Sequence, residues 1–269
     1  MLKLSAEGQL GPGVEEQRMT KTMARRAALL AALVLSLCGA ASLAAQEIVE
    51  TSGVVESIRG NRLAVKSGEQ RWIVVIDGEE LKLSGQRTEL EFHGRGRGSL
   101  VERGWWVRFF ADVDATGKVV GPLRTFTWFT PDHLTREGAF PVEPRDDGGE
   151  PTDDGGEPTV HWNRPQRGEM IAGRYLIVGS IRSVRDGHML VIFQDERGAE
   201  TQVLAQLDPD IDIEINITHK QVAGKLLARG DSVVVRGRAH ENQLQAMSVV
   251  ARREEVLGKP LPQPRAPRQ

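Results

Sequence analysis

Apolar and polar residues alternate along this chain in short runs, and the runs come twice. The clearest run is Ile211, Ile213, Ile215 and Ile217, separated by Asp212, Glu214 and Asn216. A period of two puts successive side chains on opposite faces of a strand. One face is then all isoleucine and the other is wet. Trp72-Ile73-Val74-Val75-Ile76 ends at Asp77-Gly78 and reads as a buried strand closed by a turn. Leu81-Lys82-Leu83-Ser84 and Leu90-Glu91-Phe92-His93 also alternate and predict strands. In Trp106-Val107-Arg108-Phe109-Phe110 the same rule puts Trp106, Arg108 and Phe110 on one face, and Trp105, Val107 and Phe109 on the other. No long stretch has the 3.6-residue period of an amphipathic helix; only residues 221–227 suggest a turn or two. The expected class is all-β.

The runs repeat at a fixed offset. Gly53-Val54-Val55-Glu56-Ser57-Ile58-Arg59 faces Gly179-Ser180-Ile181-Arg182-Ser183-Val184-Arg185, and Arg103-Gly104 faces Arg229-Gly230. Both pairs lie 126 positions apart. The turns Gly60-Asn61 and Asp186-Gly187 follow the first block in each copy, and small length changes fall in turns, where loops absorb them. Four blocks in one order indicate an internal duplication. The expected architecture is two tandem barrels of five or six strands, residues 48–131 and 172–256, on a flexible acidic linker rich in Pro and Gly.

The linker, residues 132–170, contains DDGGEPT twice and six prolines counting Pro131 at its edge. Such composition buries too little apolar surface to fold and reads as a disordered spacer. The tail, residues 257–269, is rich in Pro and Arg and is expected to be disordered too.

Residues 1–22 lack apolar periodicity and are expected to be unstructured or to precede the true start. From Met23 the pattern changes. Arg25-Arg26 precedes the apolar residues 27–37, and small residues Ser42 and Ala44 stand before Ala45-Gln46. That is the layout of a secretory signal peptide, residues 23–45. The apolar run is short for a span of ~20 residues, so no transmembrane segment is expected in the mature chain, and the protein is expected to be exported, periplasmic or secreted. The single cysteine, Cys38, lies in the removed piece. Leu35-Ser36-Leu37-Cys38 is similar to a bacterial lipobox, which implies a lipid anchor at Cys38 as a competing outcome. Leu37 departs from it, because the lipobox has a small residue there.

The net charge is −2, so no global basic field draws the chain to nucleic acid or an anionic membrane. Aromatics are uneven: nine of the 13 lie between Trp72 and Phe129. Trp105, Trp106, Phe109, Phe110, Trp128 and Phe129 could form a stacking platform for a polymer, with Arg108 between the aromatics of one face. Arg95 and Arg97, in a loop punctuated by glycine, could pair bidentately with phosphates or acidic glycans. The candidate ligand-binding residues are therefore Arg95, Arg97, Trp105, Trp106, Arg108 and Phe110. No catalytic residue, metal site or cofactor is expected. The six histidines are scattered, residues 112–117 depart from a calcium loop at Thr116, and no serine stands in a nucleophile elbow.

Each half resembles the small OB-like β-barrels of exported bacterial proteins of unknown function. The resemblance rests on Gly53-Val54-Val55, residues 101–109 and 120–128 in the first half, and on Gly179-Ser180-Ile181, residues 227–235 and 244–250 in the second. It implies a binding or scaffolding module, since such barrels use one strand face and two hairpin loops for ligands. The expected function is non-enzymatic binding of a cell-envelope polymer or protein. Single-stranded nucleic acid is the alternative, opposed by the signal peptide and the acidity; an enzyme with an unrecognised site is the third reading. Mass spectrometry of the protein from its native host is expected to find a mature form beginning near Ala45 or Gln46. A full-length cytoplasmic form would overturn the export reading.

Overall fold

The computed structural model describes residues 47–83, 85–143, 159–162, 170–194 and 198–262. The signal segment, Cys38 and most of the DDGGEPT repeat lie outside them. Twelve strands follow in order: β1 (Ile48–Arg59), β2 (Arg62–Ser67), β3 (Gln70–Ile76), β4 (Glu89–Gly96), β5 (Trp106–Val113), β6 (Lys118–Phe129), β7 (Gly138–Pro141), β8 (Gly173–Arg185), β9 (His188–Gln194), β10 (Glu200–Ile217), β11 (Ser232–His240) and β12 (Gln243–Arg252). Two short helices, α1 (Glu79–Leu83) and α2 (Lys220–Leu226), interrupt them. The chain is all-β, as the alternation predicts. Among the described residues no helix is long and apolar enough to cross a membrane.

The strands close into two rings. In barrel 1, β1 pairs β2, β2 pairs β3, β3 pairs β12 in parallel, β12 pairs β11, and β11 returns to β1. In barrel 2, β8 pairs β9, β9 pairs β10, β10 pairs β6 in parallel, β6 pairs β5, and β5 returns to β8. Each five-stranded ring is compatible with an OB-like barrel. The rings and the sequence halves do not coincide. Each barrel takes three strands from one half and its closing hairpin from the other, which corrects the expectation of one barrel per half. A pattern of buried and exposed positions fixes each strand's faces but not its partner, so the exchange has no signature in the alternation.

The glycines that repeat in the sequence take matching places at the closing hairpins of the two rings. The Gly104 N–H donates to the Ile181 carbonyl at 2.8 Å, and the Gly230 N–H donates to the Val55 carbonyl at 2.8 Å. Gly104 and Gly230 have φ of 89° and 95°, in the region glycine enters without a Cβ penalty. The other repeated glycine is required by a close approach. A Cβ on Gly53 would stand 2.3 Å from the Lys66 carbonyl oxygen, and one on Gly179 would stand 2.4 Å from that of Ile192. Just beyond each, the ladder carries a bulge, at Val55/Ser57 and at Ile181/Ser183.

The two rings meet along β4 and β10. β4 pairs β12 in parallel on one side and β10 antiparallel on the other, with Ile213 opposite Gly96 and Ile217 opposite Phe92. β10 runs for 18 residues, first with β9 and then with β4. Its four isoleucines are buried, as their spacing predicts, and belong to one apolar core shared by both rings.

Three segments depart from expectation. Leu81 and Leu83 lie in α1, not a strand; five residues after a turn are too few to tell one period from another, and Leu83 is exposed. The spacer contributes β7, which pairs β8 through Ala139 opposite Ile177 and Phe140 opposite Leu176. Residues 139, 140 and 142 supply the apolar side chains that a solvated linker lacks, and Val142 bridges Val160. The tail is tied down as far as Leu261, whose N–H donates to the Pro209 carbonyl and whose side chain lies against the core.

Asp77 fastens the end of β3. It accepts a hydrogen bond from the Thr88 N–H at 3.1 Å and forms an ion pair with Lys220 of α2. Burial pushes its carboxyl up, but the Lys220 ammonium and the Thr88 amide outweigh that and hold it below the usual range. A depressed carboxyl pKa gives stability that is present above the unfolded value and is lost as pH falls through the folded one. Asp77→Asn, which keeps the side chain suited to φ of 49°, is expected to flatten the acid limb of stability below about pH 4, read by urea midpoints across pH. Gly53→Ala and Gly179→Ala are each expected to cost about 1–3 kcal/mol, in a single unfolding transition because the core is shared.

Candidate functional site

The outer face of barrel 2 continues across the seam onto β4. Paired residues share a face, so the register lays out rows. One row is His93, Asn216, Phe129, Trp106 and Ser180; the next is Arg95, Glu214, Thr127, Arg108 and Val178. Five strands at about 4.8 Å spacing make the rows about 19 Å long. The opposite face of the same strands is core: Val107, Phe109, Phe126, Trp128 and the isoleucines are buried.

The six residues singled out in the sequence separate on this frame. Trp106, Arg108 and Phe110 are on the outer face of β5, with Arg108 and Phe110 exposed. Trp106 meets Phe129 edge to face at 6.5 Å, and the Arg108 guanidinium lies 5.8 Å from the Phe129 ring centre, within cation–π reach. Trp105 turns the other way. It stacks on Trp128 with ring centres 3.5 Å apart and planes 2° apart, against the core. Arg95 lies on the outer face of β4, ion-paired with Asp212. Arg97 donates from Nη1 to the Asp210 carbonyl at 2.7 Å. The structure thus brings Trp106 and Arg108 together, sets Arg95 on strand β4 in the row of Arg108 and not in the expected loop, and pairs Arg95 and Arg97 with groups of β10.

A groove of about 740 Å³ runs over the seam, lined by His93, Arg95, Asp212, Glu214, Asn216 and Arg252 among others. His93 Nδ1 and Asn216 Oδ1 are 2.9 Å apart, and Glu214 accepts from Thr127 Oγ1 at 2.9 Å. Farther along the face is a second concavity of about 400 Å³, lined by Arg108, Phe129, Leu134, Thr135, Trp162 and Val178 among others. The chain after β6 and the Trp162 segment wall it. Asp132 shapes that wall: its Oδ1 accepts from the Leu134 N–H at 3.0 Å and the Thr135 hydroxyl at 2.7 Å. The Thr135 hydroxyl holds its carboxyl below the ordinary range. Trp162 is anchored on Phe140, with ring centres 5.1 Å apart.

Phe129 stands in the expected stacking platform but not among the candidate ligand-binding residues, and Leu134 and Trp162 stand in neither, because both fall within the expected spacer. The available signal was an aromatic in polar surroundings, His161-Trp162 after DDGGEPT. Among the described residues no group of three or more His, Cys, Asp or Glu side chains converges as metal ligands would. Residues 114–118 form a turn in which Asp114 Oδ1 accepts from the Thr116 and Lys118 amides.

The same position in barrel 1 is built differently. Ser232 pairs Arg252 where barrel 2 pairs Trp106 with Phe129. In place of Trp105 stands Asp231, which is 1% exposed. Arg253 grips it with two hydrogen bonds, 2.6 Å to Oδ1 and 2.9 Å to Oδ2, and the Ala228 N–H adds a third. Arg253→Met strands a buried carboxylate and is expected to destabilise by about 3–5 kcal/mol. Pairing it with Asp231→Leu is expected to restore most of that, read by urea denaturation. The chain matches no family model, no curated protein and no solved structure, so its functional reading rests on this geometry.

Proposed function

We propose that this is an exported, non-enzymatic binding protein that holds an extended cell-envelope glycan across the outer face of barrel 2. The observation that carries the reading is the register of the two rows. Trp106 and Phe129 offer apolar ring surface beside a line of polar side chains from His93 to Thr127. Sugar rings present the same combination, an apolar face with a rim of hydroxyls. The polar side chains have mixed charge, Arg95 and Arg108 against Asp212 and Glu214, which suits a hydroxyl-rich polymer better than a polyanion. The resemblance to OB-like tandem barrels and the signal segment support the same reading, the first through a strand-face binding mode and the second through compartment.

Single-stranded nucleic acid remains the competing ligand. It draws support from the aromatics but loses Arg95 and Arg97 as free phosphate contacts, since β10 already satisfies both. Co-sedimentation of the mature chain with purified cell-wall glycan separates the two. Binding is expected to persist in about 0.5 M salt, where screening is short-ranged, and to fall about tenfold in Trp106→Ala, a loss of about 1.4 kcal/mol. Binding to single strands that collapses with salt, together with none to glycan, would overturn the proposal.

A further inference from the structure

We propose that the concavity between Arg108 and Trp162, which adjoins the proposed glycan face and shares Arg108 and Phe129 with it, is a site for a small monoanion with a planar apolar body, of the aromatic-carboxylate class. It stands on that concavity alone and does not require the glycan reading.

The duplication supplies an internal comparison. Barrel 1 closes with the same hairpin geometry, and its matching position is a concavity of about 300 Å³ lined by Ser52, Val234 and Arg252 among others, over which no aromatic side chain stands among the described residues. Where barrel 2 has Arg108, Phe129 and Val178, the matching register of barrel 1 has Val234, Arg252 and Ser52. The wall comes from the segment after β6 and from Trp162, both outside the duplicated strands. Barrel closure does not need them, because barrel 1 closes without them. They border an open concavity of about 400 Å³, within the range of about 300–1,000 Å³ typical of small-molecule sites.

The chemistry of the lining is specific. Leu134 is 73% exposed and Trp162 is 46% exposed, large apolar side chains standing at the rim with Phe129 and Val178 beneath. A flat apolar body between them would cover all four. Among the described lining residues the charged groups are Arg108, Asp132 and Arg136, and Arg136 donates to the Trp162 carbonyl at 3.5 Å. Asp132 is engaged in its own turn. Among the described residues Arg108 has no carboxylate partner; its contact is the Phe129 ring. A guanidinium held over a ring keeps its edge available for a carboxylate fork. A ring stacked near Phe129 with its carboxylate on Arg108 uses both features together.

Isothermal titration of the mature chain with 2-naphthoate, and with uncharged 2-naphthamide as its isostere, tests this. Naphthoate is expected to saturate one site, and the amide to bind about tenfold more weakly or worse. Arg108→Ala is expected to remove that preference, Arg108→Lys to retain part of it, and Trp162→Ala to weaken both ligands. Val234→Ala, at the matching place in barrel 1, is expected to change nothing. Arg108 is exposed, so the thermal midpoint of its variants should stay near that of the parent. Absence of saturable heat with naphthoate, or equal affinity for acid and amide on the unmodified protein, overturns the site. So does full affinity in a folded Arg108→Ala. Trp106→Ala separates this site from the glycan face, since it should impair glycan retention and leave naphthoate binding intact.

Discussion

The antiparallel contact between β4 and β10 is the constraint on which the rest depends. Each strand runs out of one ring and into the seam, β4 beside β12 of barrel 1 and β10 beside β6 of barrel 2. Because both continue past the seam, the chain cannot complete either ring from one half alone. The hairpins β5–β6 and β11–β12 are carried across to close the opposite ring. The apolar core is continuous for the same reason: Ile213 and Ile215 of β10 and Phe92 of β4 belong to one buried cluster with residues of both rings. In oligomers, exchange of an identical element between protomers is a known route to a dimer. Here the two protomers are halves of one polypeptide, and the pseudo-symmetry survives in Gly53 and Gly179, Gly104 and Gly230.

Much of the fold was legible in the sequence because it depends on local patterns. The isoleucine alternation of β10 placed every side chain on the correct face, and the repeated Gly-x-Val/Ile marked a real close approach of strands. Which strands pair was not legible, because pairing is set by long-range geometry to which a period of two is blind. Composition also misled in one place. Proline and acid around the DDGGEPT repeat concealed β7, which sends Ala139 into the main core, while Phe140 and the neighbouring Val142 build a small second core with Leu176 and Val178 of β8. The alternation of β5 separated Trp106, Arg108 and Phe110 from Trp105 correctly, which is why half of the candidate site residues stand together. Arg95 and Arg97 were read as free because their partners, Asp212 and the Asp210 carbonyl, are more than a hundred positions away in sequence.

The two barrels differ in opposite directions on one frame. Barrel 2 has aromatic surface and a wall from the segment after β6 and Trp162. At matching positions barrel 1 has small or charged residues, and it secures its hairpin with a buried ion pair where barrel 2 stacks two tryptophans. The exchanged hairpins leave each ring dependent on the other for closure.

The exchanged hairpins also set the order in which the molecule can assemble. Ile48 lies opposite Arg238, about 190 positions downstream, so the first strand must wait for nearly the last. Contacts of such long range make folding slow and leave apolar strands uncovered in the interim. Barrel 1 cannot close until β11 and β12 have been made, so β1, β2 and β3 stand without two of their ring partners until nearly the whole polypeptide is present.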